Sequence, residues 1–141
     1  MGSRSYTQVA YGGPGSQEWR TPRAFFDALH EKYRFTLDGA ARRENALLPR
    51  YFNTFESPVS WQGERVFCNP PWDVIPPFIE MAVAAELAVF LVPSRTNCRW
   101  FHRALELGAV PEFFEGRPCF SESEGSPFDC LLLVFPEGRY A

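Results

Sequence analysis

Leu87-Ala88-Val89-Phe90-Leu91-Val92 is an unbroken apolar run without polar alternation. A strand with one wet face alternates; a run like this one suits a strand buried on both faces, as in the parallel sheets of α/β proteins. Arg65-Val66-Phe67-Cys68 also reads as a buried strand, and Asp129 to Phe135 and Val110 to Glu115 as two final strands joined by a Ser/Gly/Glu-rich loop.

Helical signals fall between these strands. Thr21-Pro22 pairs a hydroxyl N-cap with a proline at the first helical position, and Phe25, Phe26, Leu29 and Tyr33 follow at helical spacing. Phe35-Thr36-Leu37 predicts a short strand ending at Asp38. Gly39-Ala40-Ala41 is a small-residue turn, and Arg42 to Leu48 is expected to form one or two helical turns. Residues 49–63 are mostly loop, with Tyr51-Phe52 as an edge strand. Pro76 or Pro77 opens a helix through about Ala85, and Thr96 is placed to cap another that carries Trp100, Phe101, Ala104 and Leu105 and stops at Gly108. Strands alternating with helices predict an α/β chain with a mostly parallel sheet and an antiparallel end. Ligands in such sheets lie outside the carboxyl ends of the strands. Three loops fall there: Asp38 to Asn45, Asn69 to Val74 and Pro93 to Arg99.

The chain has 141 residues, 45% of them hydrophobic, 16% aromatic and 22% charged, with a formal net charge of -3. That length suits one domain, and the composition argues against wholesale disorder. Residues 1–16, rich in Gly, Ser and Tyr, read as a flexible arm, leaving 17–141 as a single domain. No run is long enough to span a membrane. The acidic balance argues against coating nucleic acid by charge alone. Yet the basic side chains comprise 13 Arg and a single Lys, Lys32, and arginine suits bidentate phosphate contacts. Cys68, Cys98, Cys119 and Cys130 form no Cys-x-x-Cys pair, and neither His30 nor His102 flanks them at zinc spacing. No metal site is expected; the thiols read as small buried groups of a reducing compartment.

The sharpest feature is Asn69-Pro70-Pro71-Trp72, directly after the strand Arg65 to Cys68. It fits methylation of an exocyclic amine. The adenine amino group is flat and a poor nucleophile, because its lone pair is delocalised into the ring. Two acceptors on its hydrogens favour a tetrahedral nitrogen with a free lone pair. The Asn69 side-chain oxygen and the Pro70 carbonyl can supply them, and successive prolines fix the loop in advance. Trp72 offers a face on which an extruded base can stack. His102 reads as a surface histidine.

With these residues the chain resembles the short phage-type DNA adenine-N6 methyltransferases that use S-adenosylmethionine. The resemblance runs from about Gln17 to Phe135. It rests on Glu18-Trp19-Arg20-Thr21-Pro22, Phe35-Thr36-Leu37-Asp38-Gly39-Ala40-Ala41, Glu44-Asn45-Ala46, Arg50-Tyr51-Phe52, Asn69-Pro70-Pro71-Trp72, Trp100-Phe101-His102, and Gly116-Arg117 with Phe120. It implies a small three-layer Rossmann-like methyltransferase fold, a cytoplasmic protein and a DNA substrate whose adenine is flipped out. Asn69, Pro70, Pro71 and Trp72 would form the catalytic loop. Asp38, Gly39 and Ala40 match the cofactor turn, with Asp38 meeting the ligand's ammonium group directly or through water. Trp19, Thr21 and Pro22 match the segment against the methionine end of the cofactor, and Asn45 and Asn69 complete the cofactor set. Asp38 and Thr21 each have a second reading as a helix cap, and Trp19 as plain core. Two departures stand out: tryptophan replaces the tyrosine that many relatives have at Trp72, and Ala40-Ala41 replaces the usual Gly-rich turn.

No separate target-recognition domain is present, so DNA contact must come from loops or from a second subunit of a homodimer. Arg95, Arg99 and Arg103 are four apart and would form one basic stripe on a helix. Phosphate contact and a solvated face are both open for them. Thr96, Asn97 and Arg117 are further DNA candidates. Two rival readings remain: an amine methyltransferase for RNA or cytosine N4, and a catalytically inactive methyltransferase-fold binding module.

Overall fold

The structure, a computed structural model, describes residues 21–115 and 129–140. The arm at 1–16, Trp19, Cys119, and the Gly116-Arg117 and Phe120 elements lie outside the described residues.

The described residues form helices α1 (Arg23–Tyr33), α2 (Ile75–Met81) and α3 (Arg99–Glu106), and strands β1 (Leu37–Asp38), β2 (Arg65–Cys68), β3 (Leu87–Pro93), β4 (Val110–Phe113) and β5 (Cys130–Phe135). A 3-10 turn at Ala82–Ala84 extends α2. The strands make one five-stranded mixed sheet in the order β1-β2-β3-β5-β4. β1, β2 and β3 are parallel, with Asp38 opposite Phe67 and Cys68 opposite Phe90. β5 runs antiparallel to both β3 and β4. The α/β expectation with a parallel run and an antiparallel end therefore holds.

The central position of β3 explains its sequence: all seven of its residues are buried. Phe67 and Cys68 point to opposite faces of the sheet because side chains alternate along a strand. On the Phe67 side, Phe26 of α1 meets Phe67 edge-on at 5.4 Å. On the side shared by Cys68 and Phe90, Trp61 lies 5.9 Å from Phe90 and 6.4 Å from Phe78 of α2. Cys68 and Cys130 are buried, and burial raises the Cys68 thiol far above its usual pKa.

Several local expectations are corrected. No helix forms over Arg42 to Leu48; turns and bends take its place. The Asn45 side chain accepts from the Arg42 amide at 2.8 Å, and Asp38 accepts from the Leu47 amide at 3.0 Å. Such side-chain bonds compete with helical ones, and Pro49 disfavours helix at the residue before it. Asp38 therefore caps no helix. Nor does Thr21: α1 starts at Arg23 with Pro22 as N-cap and no side-chain cap bond. Thr96 does not cap α3 either, since Cys98 holds the N-cap position and turn bonds from Arg95 to Pro93 and from Cys98 to Arg95 occupy the loop. The Tyr51 edge strand shrinks to one parallel bridge with Asp38.

Among the described residues, no helix is long and apolar enough to cross a membrane.

Candidate active site

Parallel pairing of β1 and β2 decides where the chemistry can lie. Asp38 ends β1 and Asn69 follows the last residue of β2, so both emerge at the carboxyl edge of the sheet. A cavity of about 250 Å³ opens there. Thr21, Asp38, Ala40, Asn45 and Asn69, all expected from the sequence, line it, together with Glu44, Ala46, Leu47 and Phe67.

Asp38 is only 3% exposed. One carboxylate oxygen accepts from the Leu47 amide at 3.0 Å and the other from the Ala40 amide at 3.3 Å. Burial dominates its electrostatics and pushes the carboxyl up to about 6 from an ordinary 3.8, against the opposing pull of those two amides. A buried carboxylate in this state favours a cation beside it. Asp38 thus does two things at once: it pins the 40–47 loop and faces the cavity.

Asn69 is half-buried, and its side-chain amide nitrogen donates to the Thr21 hydroxyl at 3.3 Å. The threonine that was expected to cap α1 instead orients the amide. The Pro71 carbonyl accepts from the Val74 amide at 3.0 Å, whereas no bond among the described residues reaches the Pro70 carbonyl. Two prolines restrict the loop between Asn69 and α2.

Other expected residues fall elsewhere. Pro22 is half-buried, ahead of α1. Gly39 is not among the lining residues, and the position of its missing side chain faces Trp61 and Val66. Pro70 and Pro71 are buried. Trp72 is 7% exposed and belongs to the hydrophobic core, so little of its ring is offered for stacking in this conformation. Arg95, Thr96 and Asn97 are exposed on the loop after β3, at the same edge of the sheet as the cavity. Arg103 on α3 makes a bidentate pair with Glu80 of α2, at 2.7 and 3.0 Å, and Arg99 reaches Glu106 at 3.4 Å. His102 is exposed. Among the described residues, no group of three or more His, Cys, Asp or Glu is placed to hold a metal ion.

Glu44 and Leu47 were not anticipated as cavity residues. Glu44 lies in the Glu44-Asn45-Ala46 segment, but nothing about its spacing marks it. Leu47 contributes through its backbone amide, for which sequence carries no signal.

The donor set suits the charged amino-acid end of S-adenosylmethionine: a buried carboxylate, a hydroxyl, an amide and a half-buried Ala40 with its backbone. At about 250 Å³ the cavity is just below the usual range of roughly 300–1,000 Å³ for small-molecule sites, a size that matches that end of the molecule rather than the whole of it.

A family model described as DNA N-6-adenine-methyltransferase (Dam) matches residues 13–126, which include every lining residue of the cavity. No curated protein matches the chain.

Proposed function

The chain belongs to the DNA N-6-adenine-methyltransferase (Dam) family, and from that membership we propose that it transfers a methyl group from S-adenosylmethionine to the N6 amino group of adenine in DNA. The observation that carries the reading is one cavity at the carboxyl edge of parallel strands, with Asp38 and Asn69 both on its wall. Bound S-adenosylmethionine supplies an electrophilic methyl group on a sulfonium.

Asp38 receives the ammonium group of the cofactor, directly or through one water, and the Leu47 and Ala40 amides hold the carboxylate in place. Thr21 keeps the Asn69 amide turned so that its oxygen is the end presented to the adenine amine. The Pro70 carbonyl is the second acceptor. Together they localise the lone pair on the amine nitrogen. The methyl group that S-adenosylmethionine would supply from its sulfonium would pass to this nitrogen, and the excess amine proton would leave to solvent afterwards. The same reading takes the molecule as a reduced three-layer Rossmann-like methyltransferase domain. The contacts of Phe26 with Phe67 and of Trp61 with Phe90, on opposite faces of the sheet, support it. Arg95 and Arg99 are its phosphate contacts.

The test is incubation with methyl-labelled S-adenosylmethionine and mixed-sequence duplex DNA, followed by nucleoside analysis. N6-methyladenine is expected. Its absence, with folded protein and measurable cofactor binding, overturns the proposal. Asn69→Ala should abolish methylation while leaving cofactor affinity within about tenfold, roughly 1.4 kcal/mol. Full activity in that variant would show that the acceptor assignment is wrong.

A further inference from the structure

Phe55 is 92% exposed, the highest exposure of any large hydrophobic residue among those described. Yet its surroundings are not loose. Asn53 and Ser57 exchange two backbone hydrogen bonds, at 2.9 and 3.1 Å, and close a tight hairpin. The Asn53 side chain accepts from the Phe55 amide at 2.9 Å inside that hairpin, and the Ser57 hydroxyl donates to the Tyr51 carbonyl at 2.7 Å. A rigid tip that displays a bare aromatic ring gains nothing from burial within its own chain. Such a ring suits insertion into something else.

Its position says into what. Tyr51 bridges Asp38 in parallel, so the hairpin projects beyond the carboxyl edge, where the cavity opens. The hairpin is also fastened to the cavity-lining loop. The Asn53 side chain donates to the Ala41 carbonyl at 3.1 Å, and the Arg43 amide donates to Glu56 at 2.8 Å. DNA that presents an adenine to Asn69 must lie against this edge.

We propose that Phe55 is a wedge that enters the base stack of duplex DNA beside the target adenine and favours its extrusion. Apolar side chains inserted between base steps unstack them, and a base must leave the stack before its amine can be reached. This inference rests on the methyltransferase reading above.

The experiment compares wild type, Phe55→Ala and Phe55→Leu on mixed-sequence duplex and on the same DNA heat-denatured. Phe55→Ala is expected to lower methylation of the duplex at least tenfold, to stay within twofold of wild type on denatured DNA, and to keep the wild-type unfolding midpoint. Phe55→Leu should retain an intermediate rate on duplex. Equal losses on both substrates, or undiminished duplex methylation, overturn the wedge; the second result would leave the ring to contact protein. A second readout does not depend on turnover: the linking number of closed plasmid relaxed by topoisomerase in the presence of the protein. Wild type should unwind the plasmid and Phe55→Ala should not. If wild type methylates nothing, the methyltransferase reading fails while unwinding still decides the wedge. Absence of any Phe55-dependent unwinding overturns it.

Discussion

A Cβ placed on Gly39 would lie 2.7 Å from Trp61 Cζ2 and 2.7 Å from Val66 Cγ1, closer than atoms of a folded core approach. Small size here answers to the packed Trp61 and Val66 side chains. Gly39→Ala should therefore destabilise the fold by about 1–3 kcal/mol, seen as a lower denaturant midpoint. An unchanged midpoint would mean that Trp61 moves aside freely. Asp38 makes a prediction in pH. Its folded pKa of about 6 exceeds its ordinary 3.8 because of burial, so the folded state binds the proton more tightly. Its contribution to stability is full below about pH 4 and is lost as pH rises through 6, by up to about 3 kcal/mol. Unfolding at pH 4.5 and pH 7.5 should show this loss in wild type and not in Asp38→Asn. A cation held by Asp38 reverses the preference, so S-adenosylmethionine should bind more tightly as pH rises toward 6 and level off above it. A flat affinity profile would remove Asp38 from the cofactor contact. Asp38 and Asn69 could be read from sequence because each ends a recognisable strand run. The role of Leu47 could not, because it consists of one backbone amide bonded to a carboxylate nine positions earlier.

At the scale of elements, buried runs with strong patterns were readable and capped ends were not. β2 falls where Arg65 to Cys68 predicts it, since three consecutive positions, Val66, Phe67 and Cys68, are buried in the sheet. The α1 start shifted as the Thr21 hydroxyl bonds Asn69 across 48 positions, and no local pattern foretells that. Pairing between α2 and α3 was equally hidden. Counted along the chain, Arg95, Arg99 and Arg103 make a basic stripe; in three dimensions, Glu80 from the neighbouring helix takes Arg103. Exposed pairs of this kind contribute about 1 kcal/mol or less to stability. Glu80→Gln should accordingly leave the unfolding midpoint nearly unchanged. It should tighten DNA binding at low salt and steepen the plot of log affinity against log salt by about 0.9, the increment for one more phosphate contact. A slope identical to wild type would show that Arg103 stays away from DNA even when released.

Among the described residues of the whole molecule, Arg95 lies at one edge of the sheet and Arg65 and Arg139 at the other. At the carboxyl edge, Arg95 lies on the loop between β3 and α3. At the amino edge, Arg65 donates to the Tyr33 carbonyl at 2.6 and 2.9 Å and pairs with Glu86 at 2.7 Å and Glu137 at 3.1 Å. There Arg139 also donates to the carbonyls of Ala82, Ala85, Glu86 and Pro136, at 2.6 to 3.2 Å. The Ala82, Ala85 and Glu86 carbonyls run from the 3-10 turn to the start of β3, and that of Pro136 follows β5, so Arg139 ties the last residues of the described chain to the segment that enters the central strand. Arginine abundance in the sequence suggested phosphate binding without distinguishing these two populations, because the distinction depends on which edge each strand end reaches. The separation is testable. A lysine at 139 keeps the charge but lacks the planar fork that reaches several carbonyls together. Hydrogen bonds from charged groups contribute about 1.5–3 kcal/mol, and part of that is retained by lysine, so Arg139→Lys should cost about 1–2 kcal/mol in denaturant unfolding. Cofactor affinity and the salt dependence of DNA binding, measured well below the melting temperature, should match wild type. Loss of DNA affinity at unchanged stability would instead move Arg139 into the nucleic-acid surface and would dissolve the division between a binding edge and a stabilising edge.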